Sequence, residues 1–140
     1  MDKILIDTDV ILDFFFDRNP FAEYASQVFS LCENNLIKGY TTPVIYSNVY
    51  YLLRQTASHE KVIDHLKQLS TITDILSMDK EVVINSLNSG FKDFEEGLQN
   101  FATVKYGKIN VILTRNFKDF KKSEIGIMTP EFYIKSTTNL

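Results

Sequence analysis

Two carboxylates one residue apart, Asp7 and Asp9, stand at the end of an apolar run in KILIDTDVILDFFF, and no Lys or Arg follows them until Arg18. An ionised carboxylate that leaves water loses several kcal/mol unless it finds a partner, so a positive charge is expected nearby. Further along, Asp93 and Glu96 lie one helical turn apart on one face, and Asp119 follows the apolar stretch VILT. Gathered at one point without a cation, such groups would oppose folding: two carboxylates ~4 Å apart repel by about 4 kcal/mol at an effective dielectric of about 20. An oxygen-only set selects Mg²⁺ or Mn²⁺ rather than zinc.

Each acid also has a plain structural reading. Asp9 suits the N-cap of a short helix, Asp93 and Glu96 suit the positive end of theirs, and Asp119 suits a solvated loop. Asp7 is harder to dismiss, because it closes an apolar strand. The basic residues Arg115, Lys118, Lys121 and Lys122 surround Asp119 and either hold the phosphates of a bound substrate or form a solvated charged loop. His59 and His65 match no metal-ligand spacing and are assigned to the surface. Cys32, the only cysteine, sits among Val28, Phe29 and Leu31, which predicts a buried and inert thiol.

The elements that must position these groups follow from periodicity. Residues 3–8 form a continuous apolar run of strand length, and 10–16 a short helix closed by Asp17-Arg18-Asn19-Pro20. Helical patterns follow over 21–36, from Pro43 to about residue 57, over 59–69, 80–88 and 93–106, and from Thr129-Pro130-Glu131 to the end. Strand patterns lie between them at 39–42, 71–76, 110–114 and 125–128. Alternation of this kind implies an α/β fold with a mainly parallel sheet covered on both faces. In such a sheet, functional groups gather beyond the carboxyl ends of the strands where the strand order reverses, a location Asp7, Asp93, Glu96 and Asp119 can all reach.

The 140 residues, 44% hydrophobic, suit a single domain over 1–140 that buries roughly 70% of its unfolded surface. A net charge of −3 argues against indiscriminate coating of nucleic acid, which runs on phosphate neutralisation by Lys and Arg. A lone cysteine makes no intrachain disulfide, and the acids within the first apolar stretch exclude a signal peptide or membrane span there. The expected setting is cytoplasmic, without membrane.

Taken in order, "LIDTDVILD", "TTPVIYSNVYYLL", "DFEEGLQNFATVKYG", "VILTRNFKDF" and the closing "IMTPEFYI" resemble the PIN-domain family over nearly the whole chain. That family comprises small Mg²⁺- or Mn²⁺-dependent nucleases and includes the VapC-like toxins of toxin–antitoxin pairs. The resemblance implies a three-layer α/β/α sandwich with about five parallel strands, RNA as substrate and an antitoxin protein as partner. It matches Asp7 to the family's first acid, Asp93 and Glu96 to the acidic pair of its third motif, and Asp119 to its late acid. Asn48 and Asn116 stand where the family usually carries further acids. Each can still offer a carbonyl oxygen to a metal or a water, and Asn48 is expected to face the metal site.

Two other readings remain. "DTD" after an apolar strand also resembles the start of haloacid-dehalogenase-type phosphatases, although Ile11 occupies the position where that family wants Thr or Val. With Asn48 and Asn116, the chain also reads as a catalytically weakened module that binds RNA or protein. Finally, Phe14, Phe15 and Phe16 span about 200° of a short helix and cannot all face one sheet. Together with Tyr46, Tyr50 and Tyr51 they predict a homodimer contact or an antitoxin groove.

Overall fold

The computed structural model describes residues 1–117 and 125–137. Asp119, Lys118, Lys121 and Lys122 lie outside the described residues. The elements run β1 (Lys3–Ile6), α1 (Thr8–Phe15), α2 (Phe21–Glu33), β2 (Lys38–Thr41), α3 (Pro43–Leu53), α4 (His59–Ile72), β3 (Thr73–Ile75), α5 (Lys80–Leu87), α6 (Phe94–Tyr106), β4 (Val111–Leu113), β5 (Gly126–Met128) and α7 (Pro130–Thr137).

All strand pairings are parallel and the order is β3-β2-β1-β4-β5, so the sheet reverses direction between β1 and β4. β1 lies centrally with Ile4, Leu5 and Ile6 fully buried, which explains why it reads as an unbroken apolar run rather than an alternating one. Right-handed crossovers place the helices that leave β1 and β2 on one face, and the α5–α6 pair, whose connection travels the opposite way from β3 to β4, on the other. The packing agrees: α1 touches α2 and α3, α2 touches α4 and α7, and α5 packs on α6. The result is the expected three-layer α/β sandwich.

Capping fixes where the helices begin. Thr42 accepts from the Ile45 amide ahead of Pro43, Ser58 from Lys61, Asp79 from Val82 and Asp93 from Glu96. Gly107, at φ 77°, closes α6 in the left-handed region. Three expectations need adjustment. The N-cap of α1 is Asp7, not Asp9, because the helix starts directly at the strand's end. Thr71 and Ile72 extend α4, which ends where the Thr73 hydroxyl donates to the Leu69 carbonyl, so β3 is shorter than its β-branched sequence suggested. His59 is exposed, but His65 is half-buried with its ring 4.7 Å from that of Phe15.

Cys32 is buried, and burial pushes its thiol up to about 11, consistent with an inert group. A Cβ on Gly39 would come within 2.8 Å of Cys32 Sγ and 3.1 Å of Ile6 Cδ1. This close approach of β2 to α2 predicts that Gly39→Ala destabilises the fold by about 1–3 kcal/mol and that adding Cys32→Ala recovers part of the loss. Urea unfolding checks this. Equal costs with and without Cys32→Ala would show that the clash is not the cause. Among the described residues, no helix is long and apolar enough to cross a membrane.

Candidate active site

The chain reverses from β1 into α1 at Asp7, beside the end of β4, so the topology itself brings the β1–α1 turn against Thr114 and Arg115. The Asp7 amide donates to the Leu113 carbonyl at 3.0 Å, continuing the β1–β4 ladder past the last strand residue. Its side chain, only 8% exposed, accepts from the Thr8 amide through Oδ1 at 2.8 Å and from the Thr114 hydroxyl through Oδ2 at 2.8 Å. Both oxygens are therefore aimed by the two strand ends. The Thr114 hydroxyl in turn accepts from the Asn116 amide at 3.0 Å, which tightens the turn after β4.

Asp9 lies one residue into α1 and turns towards the same strand end. Its Oδ2 accepts from the Arg115 amide at 3.0 Å, whereas its buried Oδ1 has no hydrogen-bond partner among the described residues. Burial raises its pKa above the ordinary 3.8, against the lowering effect of the Arg115 amide. In the metal-free protein, stability from this group is present below about pH 3.8 and is lost as pH rises through the raised folded value. Asp9→Asn, which mimics the protonated acid, is accordingly expected to raise Tm more at about pH 7 than at about pH 4. Thermal melts at both values check this, and a pH-independent difference would contradict it.

One turn further along α1, Asp13 is 1% exposed and receives Arg115 in a bidentate pair, Nε at 2.7 Å and Nη2 at 2.9 Å. Arg18 adds a second guanidinium at 3.6 Å, and the Arg115 guanidinium lies 4.0 Å from the centre of the Phe21 ring. Sequence reasoning missed Asp13 and Thr114. The only available signal for Asp13 was its position four residues after Asp9 on an otherwise apolar helix.

α6 leads directly into β4, so a helix packed back against the sheet begins towards the carboxyl edge of the strands. Asp93 caps it by accepting from the Glu96 amide at 3.2 Å, and Glu96 itself is half-buried in the first turn. Asn48 of α3 donates its side-chain amide to Glu95 Oε2 at 2.8 Å, which ties α3 to the start of α6. Below Glu96 on the same helical face, Gln99 and Asn100 are buried, and neither Gln99 Oε1 nor Asn100 Oδ1 has a partner among the described residues.

This donor set suits a hard divalent cation. Among the described residues the buried side-chain atoms without a hydrogen-bond partner are Thr8 Oγ1, Asp9 Oδ1, Tyr46 Oη, His65 Nδ1, Gln99 Oε1 and Asn100 Oδ1; those on the β1–α1 turn and on α6 are all hard oxygens. Among the described residues no three His, Cys, Asp or Glu come together in one group, so the protein offers any one point at most two such carboxylates there. Mg²⁺, which dehydrates reluctantly and keeps several waters, is commonly bound in that way.

The sequence profile described as PIN domain matches residues 3–118. Ribonuclease VapC1 of Aquifex aeolicus is 26% identical over 144 residues, covering 99% of this chain and 98% of that protein. Among solved structures, Mycobacterium tuberculosis VapC20, described as a sarcin–ricin loop cleaving toxin, superposes with a TM-score of 0.67 at 13% identity, covering 85% of this chain and 94% of the other. A chain of VapBC-1 from nontypeable Haemophilus influenzae gives 0.66 at 13% identity over 92% and 98%. At these identities the superpositions speak for the fold alone. Because the profile match spans from the first strand past the last residue of β4, the chain belongs to the PIN-domain family.

Proposed function

We propose that this protein is a divalent-metal-dependent endoribonuclease and the toxin of a toxin–antitoxin pair. What supports this reading is the aimed Asp7 carboxylate and the buried, unpartnered Asp9 Oδ1 at the β1–β4 switch point, together with the relative named ribonuclease VapC1. Asp7 and Glu96 would hold Mg²⁺ or Mn²⁺, with Asp93 and Asp119 binding a second ion or orienting its waters. When bound, the metal supplies an activated water and neutralises charge on the phosphodiester. Asp7 is held ready by Thr8 and Thr114, so little side-chain reorganisation is needed on metal binding. Asn116 would offer its side-chain carbonyl to a metal or a water, and the lysines Lys118, Lys121 and Lys122 would hold flanking phosphates. Incubation with single-stranded RNA tests the reading: cleavage with Mg²⁺ or Mn²⁺ and none in EDTA is expected, and equal cleavage in EDTA would overturn it.

Asn48 offers a graded check. Because its amide donates to Glu95, Asn48→Asp would set two carboxylates against each other and add the negative charge that a nearby cation relieves. Mn²⁺ affinity is expected to rise by at least about threefold, roughly 0.6 kcal/mol. Calorimetry showing unchanged affinity would remove Asn48 from the metal's surroundings.

The partner we propose is an antitoxin segment. A groove of about 310 Å³ between α1, α2 and α4 is lined by Phe14, Phe15, Phe29, Leu69 and Ile72, and Phe14 is 37% exposed beside it. Tyr51 on α3 is 70% exposed. Co-purification with the product of a neighbouring gene tests this assignment. Light scattering that instead finds a stable dimer of the isolated chain would assign the surface to a second copy.

A further inference from the structure

We propose that the Asp13–Arg115 ion pair is a positioning device for Asp7 and that Arg115 is a positioning residue, not a phosphate contact. The inference rests on the nuclease reading above. Arg115 is held at three points: its Nε and Nη2 are bound in plane by Asp13 at 2.7 and 2.9 Å, its face lies 4.0 Å from the Phe21 ring centre, and its backbone amide donates to Asp9 at 3.0 Å. The in-plane fork to a carboxylate that is 1% exposed, together with the ring contact, fixes the guanidinium against α1 and α2, so that it could turn to a phosphate only by giving up the Asp13 pair.

The same residue fixes the chain direction just after β4. Its neighbour Thr114 presents the hydroxyl that meets Asp7 Oδ2 at 2.8 Å, and Asn116 folds back so that its amide reaches that hydroxyl at 3.0 Å. Asp7, Asp9 and Asp13 thus each receive a donor from residues 114 and 115, at intervals that climb α1 from its cap through its second turn. A buried ion pair is a poor source of stability, since apolar residues of similar volume commonly do as well. It is a good source of fixed geometry, because the bidentate fork tolerates little rotation. Displacing Thr114 would release the Asp7 carboxylate to rotate about its cap, and reactions that depend on placement are sensitive to such freedom.

The test compares wild type, the apolar replacement Asp13→Leu/Arg115→Met, and Arg115→Lys, which retains charge without the fork. Folding is followed by thermal melts, Mn²⁺ binding by calorimetry, RNA binding in EDTA across a salt series, and cleavage by separate kcat and KM. In the double variant we expect near-wild-type Tm, KM within about twofold and an unchanged salt slope, with kcat down at least about tenfold and weaker Mn²⁺ binding. Arg115→Lys should restore only part of the loss, and it serves as the test if the double variant does not fold. A salt slope reduced by about 0.7, one phosphate's worth on a single strand, with KM raised and kcat intact, would make Arg115 a phosphate contact and overturn the proposal. A folded variant with unchanged kcat and Mn²⁺ affinity would overturn it alone. Wild-type protein that neither binds Mn²⁺ nor cleaves RNA would overturn the nuclease reading and this inference with it.

Discussion

Asp7→Asn is expected to lower RNA cleavage by at least about a hundredfold while leaving the fold intact. The loss follows from removing an anionic ligand placed where the metal would sit, which takes several kcal/mol from transition-state stabilisation, and about 2.7 kcal/mol already amounts to a hundredfold. The fold should survive because Asn is as good an N-cap as Asp, so its Oδ1 can keep the Thr8 amide. The Thr114 hydroxyl, left without an anionic acceptor at Asp7, has Asp9 Oδ2 at 3.5 Å to turn towards. Cleavage rates should therefore fall with circular dichroism and Tm nearly unchanged. Undiminished cleavage by the folded variant would place the chemistry elsewhere.

The largest expected effect on stability comes from Asp13→Ala. This change leaves the Arg115 and Arg18 guanidinium groups facing a site from which their carboxylate has gone. Breaking a buried pair from one side commonly costs about 3–5 kcal/mol, and the lower end is expected here because both arginines reach some water. Urea unfolding should show a loss of about 3 kcal/mol, largely insensitive to added salt because the pair is sheltered. The double replacement with Leu and Met should cost far less than the single changes would sum to, which a double-mutant cycle measures directly. A loss below about 0.5 kcal/mol for Asp13→Ala would show that the pair is already solvated.

Much of the fold was legible because each element carries a local signature that agrees with its burial. Ile4, Leu5 and Ile6 are apolar without alternation because β1 is covered on both faces, and the cap at Asp79 and the Gly107 terminus each meet a specific orphaned backbone group, whereas Thr42, read as the end of a strand, is the N-cap of α3. The boundary of β3 was less legible. Thr71 and Ile72 are β-branched, yet they continue α4 and only Thr73 turns the chain into the sheet.

The candidate site divides the same way. Asp7 was recognisable because an acid that ends a buried strand demands explanation, and Asp93 and Glu96 because they share a helical face. Their positions at the carboxyl edge follow from topology, although Asp93 also does the ordinary work of a cap. The pairing of Asp13 with Arg115 was not legible. The two lie 102 residues apart, and nothing in the charge pattern says that Arg115 turns back onto α1 rather than facing solvent. Asn48 was expected beside the metal, and its visible partner is Glu95, a residue without a distinctive position in the sequence pattern. Contacts made by side chains between elements depend on register and rotamer, which periodicity does not encode.

The central claim is that carboxylates at the β1–β4 switch point and the start of α6 together hold a divalent ion. Its most direct measurement is a Mn²⁺ titration of the metal-free protein by electron paramagnetic resonance, made in parallel on wild type, Asp7→Asn and Glu96→Gln. Saturable binding by wild type is expected, weakened by at least about tenfold, roughly 1.4 kcal/mol, in either variant. Wild-type binding that neither change weakens, or no saturable binding at all, would contradict it.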